Sequence, residues 1–528
     1  MRLPLLFSIT ILMVSSLATA AGIDRDRNAI TISLQSEPPN LDSSLSQDTT
    51  SGSILVLIQE GLVRSGERGE ILPAVAASWE ASDLEITFHL REDGFWQDGV
   101  PVVAEDFAYA WRRLVDPTTG ASGSAFFAYV LNNAEEIMRG ELPPEALGVE
   151  ALDDRTLKVT LSRPVPYLLN VLAGTSYYPL RQDFVEAQQG RYGADAANLL
   201  ANGPYTLESW VHNSSITLKR NPRYWLSEEI RLDEIDVGYI TSDVRSLLNV
   251  YKSHELAALR LSEEILSDAM DSGLRIRKGP TNCLAWLTLN QQPGRLTAYP
   301  AFRQAVRYAL DRDRYVNTIV GLPGTRKIES IFTRRIQGVS QNFQREHPAT
   351  AIEFSIEKAR SLIRELKLEM GVERLPPVVL LANETRQIEA EFLQAQLSAA
   401  LDIEIRVDKQ TFKQAIAKMQ AHDYDIARAG FCGGTLTDPV FFAGIFVTNG
   451  PYNTGLYQNP AYDELMAITH STGDQKVRMD AFGRMQQLLY EDIPIIPTHE
   501  MAYVYLQHDA VRGLRRYPAV NFSRGYID

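Results

Sequence analysis

Residues 376–428 read PPVVLLANETRQIEAEFLQAQLSAALDIEIRVDKQTFKQAIAKMQAHDYDIAR, and this stretch decides the fold class. Pro376-Pro377 leads into Val378-Val-Leu-Leu381, a short apolar run bounded by turn formers. A helical pattern then covers Ile388–Leu401, followed by a strand over Ile403–Val407. A second helix near Phe412–Gln420 feeds the run Tyr424-Asp-Ile-Ala-Arg428. Strand, helix, strand, helix, strand is the order of a βαβ lobe, so the segment predicts α/β architecture with a mostly parallel sheet.

Outward from there the same alternation continues. Ile30–Leu34 is expected as the first strand and Gly52–Val63 as an apolar helix. Glu85–Leu90 and Thr156–Leu161 alternate with period two, as half-buried strands do. Val103–Val115 places Phe107, Trp111 and Leu114 on one helical face, the pattern of a core helix. Tyr205–Arg220 flanks the polar turn His212-Asn-Ser-Ser215 and predicts a hairpin, and Ile235–Ile240 adds a strand. Cys283–Leu289 follows Gly279-Pro280 as a further strand. Pro494 and Pro497 are expected to break the chain before a returning strand at Ala502–Leu506.

The N-terminus carries Arg2, the largely apolar run Leu3–Leu17 and the small-x-small pattern Ala18-Thr-Ala20. This is the layout of a secretory signal cleaved near Ala20, with a retained anchor as the alternative. No cysteine follows that site, which argues against a lipid anchor, and no later stretch reaches about 18 apolar residues. The remainder is long enough for roughly three domains. With 45% hydrophobic and 22% charged residues it has the composition of a globular protein with ample core. A net charge of −14 with no basic stripe disfavours nucleic acid as a partner. The two cysteines, Cys283 and Cys432, read as one disulfide in an exported chain or as two buried thiols. Two cysteines and eight scattered histidines do not compose a metal site.

Catalytic constellations are missing. In Gly120-Ala-Ser122-Gly-Ser124 the second glycine stands one position too early for a nucleophile elbow. His499-Glu500 lacks the second histidine of a zincin, and neither phosphate-binding glycine motif occurs. The chain is therefore expected to bind rather than to catalyse, without a cofactor.

Seven local patterns, in order, resemble the periplasmic oligopeptide-binding proteins of ABC importers, a three-lobed class of extracellular solute-binding proteins. They are Ser36-Glu-Pro-Pro-Asn-Leu-Asp42; Glu60-Gly-Leu62 with Leu72-Pro-Ala-Val-Ala-Ala-Ser-Trp-Glu80; and Thr87–Arg91 running into Phe95-Trp-Gln-Asp-Gly99 and Asp106-Phe107. Asn202-Gly-Pro-Tyr205, Lys219-Arg-Asn-Pro-Arg-Tyr-Trp225, Phe302–Arg312 and Asp425-Ile-Ala-Arg-Ala-Gly-Phe-Cys432 complete the set. The resemblance implies a Cys283–Cys432 disulfide and a monomer whose two hinged α/β lobes, joined by a third, close over a short peptide. Lobe I would comprise 21–59, 183–280 and 499–528, lobe II 60–182 and lobe III 281–498, after a signal peptide at 1–20. The ligand would pass to an inner-membrane ABC permease.

By the same resemblance, Arg428, Ala429, Gly430, Phe431 and Cys432 would pair with the peptide backbone, with Phe431 as a pocket wall and Asn453 as a polar contact. The bland reading of Ala427–Gly430 is a buried core strand, in which case Arg428 needs its own carboxylate. One departure stands out. Relatives usually place an aspartate just after the Phe-Cys step to hold the ligand's ammonium, and here Gly433 and Gly434 occupy that position. Either another carboxylate substitutes, Glu500 being the candidate, or the ligand's amino end is blocked. Competing readings are a murein peptide, an oligosaccharide, an opine-like conjugate or a nickel chelate on the same scaffold, a periplasmic hydrolase, and a holdase.

Overall fold

A computed structural model describes residues 21–46, 48–66, 69–121, 130–434, 436–450, 452–514 and 521–528. The expected signal segment 1–20, together with Ser122–Ser124, Thr435 and Pro451, lies outside the described residues. Three principal sheets carry the chain.

The first has five strands in the order Ile23–Asp24, Ala29–Leu34, Glu234–Ile240, Ser215–Arg220, Tyr205–Val211. Tyr205–Arg220 forms the expected hairpin, and Ala29–Leu34 joins Glu234–Ile240 in parallel across some two hundred residues of chain. Ile30, Ile216, Leu218, Ile235 and Val237 are all within 1% of full burial. The helix expected over 52–63 runs instead over Thr49–Ile58. Asp48 caps it by accepting from Ser51 N–H, and Gln59 turns extended, so the buried Val63 belongs to the next strand, Val63–Ser65, with buried Leu62 just before it.

The second sheet is antiparallel, in the order Ala76–Ala81, Glu85–Leu90, Thr156–Thr160, Val149–Asp153. Helix Ala104–Val115 covers it with Phe107, Trp111 and Leu114, each at most 1% exposed, as their spacing predicts. Asp106 opens that helix, accepting from Val103 N–H and Trp96 Nε1 at 3.0 Å each.

The third sheet runs Ala258–Arg260, Ile495–Gln507, Arg277–Leu289, Ile426–Cys432, Val378–Asn383, Ile405–Gln410, with Arg326–Lys327 beside Ile495–Gln507. The 376–428 segment does fold as βαβ, with Val378–Asn383 parallel to both its neighbours. Its strands begin and end later than expected, Ile405–Gln410 for 403–407 and Ile426–Cys432 for 424–428. The sheet as a whole is mixed rather than mostly parallel, because two thirteen-residue strands, Arg277–Leu289 and Ile495–Gln507, enter it antiparallel. The break expected at Pro494 occurs, between helix Gln475–Asp492 and strand Ile495–Gln507, but the one expected at Pro497 does not. Pro497 lies inside a strand, opposite Trp286 where the pairing register shifts, and a bulge tolerates the missing N–H. These two crossing strands also pair with each other, and their register shifts again between Pro280 and Leu284.

Candidate functional site

The strand Ile426–Cys432 is paired along its whole length on one side, from Ile426↔Leu289 to Cys432↔Cys283. On the other side it meets Val378–Asn383 only at Ile426 and Ala427. From Arg428 onward that side has no backbone partner among the described residues. Gly433 N–H donates to Asn282 C=O at 2.8 Å, which fixes the phase of the antiparallel ladder. Two residues earlier at each step, Phe431 and Ala429 are then bonded into the sheet, while Cys432, Gly430 and Arg428 stand at non-bonded positions. The close 4.0 Å Cα–Cα approach of Cys283 and Cys432, which form a disulfide, fits such a pair. The N–H and C=O of Arg428, Gly430 and Cys432 therefore point out of the open edge, at the two-residue spacing that an added strand would match.

The side chains of the strand divide between its faces. Arg428 is buried with its own carboxylate, donating from Nε to Glu389 Oε2 at 3.1 Å, and that carboxylate also accepts from the Tyr315 hydroxyl and from Arg386 Nη1 at 3.2 Å. Burial pushes the Glu389 carboxyl up, but Arg428 and Arg386 outweigh it and hold the group below its ordinary range. His499 sits against the same cluster, its pKa pulled down to about 3 by burial and by Arg428. Arg428 Nη2 is buried without a hydrogen-bond partner.

On the opposite face Ala429 and Phe431 wall a cavity of about 390 Å³ together with Trp286, Ile445, Phe446 and Ile416. Among the described residues, no charged one lines it. Phe431 packs edge-on against Phe442, with ring centroids 5.3 Å apart. Asn453 borders this cavity but not as a free polar contact. Its Nδ2 donates to Val447 C=O and Tyr457 C=O and its Oδ1 accepts from Tyr457 N–H, so the side chain is spent on its own loop.

Two anions near this strand are ion-paired, although Glu500 Oε1 is itself buried without a hydrogen-bond partner. Glu500 is 4% exposed, with its carboxylate 3.0 Å from Arg334 Nε, and it borders neither cavity that flanks Ala429–Gly434. Asp438 makes a buried two-pronged pair with Arg478, both contacts at 2.9 Å. Gly433 is fixed by packing, since a Cβ there would lie 2.8 Å from Asn282 Nδ2 and from the Phe442 ring. Gly434 has a left-handed φ of 53°, and a Cβ there would meet nothing within 4 Å.

Gly434 borders a second cavity of about 390 Å³, which the sequence reading missed. Helix Thr49–Ile58, Gln59 and Glu60, the 173–178 segment and Tyr224 supply its other walls. The motifs around it were visible, but not their meeting. Asn202 bonds the backbone of Glu60 through both ends of its amide, and Tyr224 and Trp225 both donate to the Glu60 carboxylate at 2.6 Å. A third cavity of about 220 Å³ lies beside it, where Leu34 and Gln35 face Tyr503 and Tyr505. Among the described residues there is no cluster of three or more His, Cys, Asp or Glu able to hold a metal, and no helix is long and apolar enough to cross a membrane.

Comparison with known proteins gives these features a context. The family model described as bacterial extracellular solute-binding proteins, family 5 middle, matches residues 70–453. The periplasmic oligopeptide-binding protein of Salmonella typhimurium is 29% identical over 517 residues, covering 93% of this chain and 91% of its own. The periplasmic murein peptide-binding protein of Escherichia coli is 28% identical over 480 residues, covering 88% and 86%. Among solved structures, the Haemophilus influenzae oligopeptide-binding protein in complex with the peptide RPPGFSPFR superposes with a TM-score of 0.76 at 27% identity, over 96% of this chain and 99% of that one.

Proposed function

Because the chain belongs to the family 5 bacterial extracellular solute-binding proteins, which bind solutes and are not enzymes, we propose that it captures short peptides by strand addition and hands them to an ABC importer. It would do so as a monomer in the periplasm, delivering to an inner-membrane permease. The observation that carries the reading is the open edge at Arg428–Cys432. Outward N–H and C=O groups at Arg428, Gly430 and Cys432 suit a peptide backbone of any sequence, and they lie between two cavities able to take what the backbone carries.

The three lobes expected at 21–59 with 183–280 and 499–528, at 60–182, and at 281–498 remain part of this proposal. The boundaries near 280 and 498 fall close to the register shift between Pro280 and Leu284 in the crossing strands, a natural place for a hinge. Export with cleavage near Ala20 belongs to the same reading. The experiment is native mass spectrometry of protein purified without denaturation from its own host, with fragmentation of any adduct. A noncovalent adduct that breaks at amino-acid residue masses is expected, and one that breaks into hexose or lipid fragments overturns the proposal.

A further inference from the structure

Among the described residues, the anions around the place expected for a bound peptide's amino end are already ion-paired or hydrogen-bonded. By the resemblance it would arrive just past Cys432, where relatives place an aspartate and this chain has Gly433 and Gly434. Glu500, the expected substitute, is paired with Arg334, and Asp438 with Arg478. What Gly434 faces instead is the cavity of about 390 Å³ between helix Thr49–Ile58, the 173–178 segment and Tyr224. That volume suits a substantial group, well beyond an ammonium with its hydration.

The chemistry of its walls is not that of an ammonium site. Thr49, Ser53, Ser65, Thr175 and Ser523 bring hydroxyls and Asn521 and Gln59 bring amides, set among apolar walls from Val56, Ala173, Leu226 and Ile230. Gln59 is 1% exposed, and its Oε1 is buried without a hydrogen-bond partner while its Nε2 reaches Tyr192 and Leu200. The charged lining residues are Glu60, Arg64 and Arg524. Glu60 already accepts from Tyr224 and Trp225, and Arg64 and Arg91 both act on it electrostatically. Arg524 is paired with Glu229 at 2.6 Å and Arg64 offsets the Glu60 charge, so the lining holds no unmatched carboxylate for an added positive charge. A neutral group rich in hydroxyls needs none.

Resting on the peptide reading, we propose that this cavity receives a polar, uncharged cap on the ligand's amino nitrogen, so that the captured class is N-acylated peptides whose acyl group carries hydroxyls. The backbone pairs with the edge at Arg428–Cys432, and the missing side chain at Gly434 is the passage through which the cap enters.

The test uses the mature protein and one peptide, Ala-Phe-Ala, with its amino end free, N-acetylated or N-gluconoylated, measured by titration calorimetry. The gluconoyl form is expected to bind at least about tenfold tighter than the free amine. Gly52→Phe, which directs a ring into the cavity from a position where a Cβ meets nothing within 4 Å, is expected to collapse that ratio to one. Gly434→Asp, tolerable at a left-handed φ, is expected to reverse it. Melting curves of both unliganded variants report folding. A free-amine peptide that binds as tightly as the capped one, or a preference for the cap that survives Gly52→Phe, overturns the inference and leaves peptide capture standing. Binding of none of the three forms brings down both.

Discussion

A backbone-ester scan of the ligand tests strand addition at the level of single hydrogen bonds. Only every second residue of the edge, Arg428, Gly430 and Cys432, points its N–H and C=O outward, because Ala429 and Phe431 are bonded to Trp286 and Leu284. An added strand must answer with the same alternation. In Ala-Phe-Ala-Phe-Ala, replacing one backbone N–H by an ester oxygen removes a donor without altering a side chain. Where that N–H pairs with the edge, the loss is about 1 kcal/mol net, or about fivefold in Kd. The oxygen then also faces a carbonyl oxygen of Gly430 or a neighbour, so the loss lies toward the upper end, about 1.5 kcal/mol. Esters at the intervening positions, whose N–H points away, only weaken the preceding carbonyl as an acceptor and are expected to cost clearly less. Titration calorimetry of the four mono-esters against the all-amide parent reads the pattern directly. Equal losses at adjacent positions, or no loss anywhere, would refute the reasoning, since neither is compatible with a ladder of period two.

Other expectations follow from buried groups. Glu389→Gln leaves Arg428 buried beside a neutral partner and is expected to destabilise by about 3 kcal/mol, whereas Glu389→Leu with Arg428→Met recovers most of the loss; urea unfolding of the two variants beside the parent protein checks this, and a double variant no more stable than Glu389→Gln contradicts it. Because the Glu389 carboxyl is depressed on folding, its contribution is present above the ordinary carboxylate range and is lost as pH falls through its folded value. Asp106 behaves in the opposite sense. Burial raises it to about 6, against the bonds from Val103 N–H and Trp96, so the protein is most stabilised by its protonated form below the ordinary value and loses about 3 kcal/mol as pH rises through 6. Asp106→Asn is expected to flatten that decline in denaturant midpoints measured across the range. The uncharged cavity beside Ala429 and Phe431 predicts that an Asp side chain directed into it weakens binding relative to Phe, and that Ile416→Lys restores the acidic peptide; competition binding reads both.

How far these features could be read from the sequence depends on how local their causes are. Strand Glu85–Leu90, the hairpin at 205–220 and helix Phe412–Gln420 were legible because periodicity and turn chemistry act over a few residues. The edge strand was found by its Arg-Ala-Gly-Phe-Cys run, but its openness was not. That depends on where Val378–Asn383 stops pairing, about forty-five residues away. Glu500 looked available because nothing in Thr498-His-Glu-Met501 points to Arg334, and Asn453 looked like a ligand contact because its three bonds to Val447 and Tyr457 belong to a folded loop. Pro497 misled for a physical reason. A proline argues against a strand interior unless a bulge removes the need for its N–H, and bulges leave no periodic trace.

An unpaired edge is also a hazard, since it can template pairing between copies of the chain, so its persistence needs devices that keep it short and rigid. The strand ends at Cys432, and the N–H of the next residue, Gly433, turns back to Asn282, while the Asn282 side chain donates to Leu436 C=O, leaving only three outward residues among those described. The disulfide pins its last residue to Cys283 across a separation of 149 residues. Gly430 is the tightest point. A Cβ there would lie 2.7 Å from Leu284 C=O and 3.3 Å from Met501 Cε, so the ladder can close at its normal spacing only if this position has no side chain. Gly430→Ala must therefore push Ile426–Cys432 away from Arg277–Leu289 or bend it, at about 1–3 kcal/mol, and move the middle pair of outward groups out of line with its neighbours. The Gly430→Ala variant is expected to lose peptide affinity by more than its loss of stability alone implies, because the middle of the three hydrogen-bonding sites no longer shares the register of the other two. Calorimetric titration beside denaturant unfolding separates the two effects. Unchanged affinity in a destabilised protein would mean that the ligand does not use this edge.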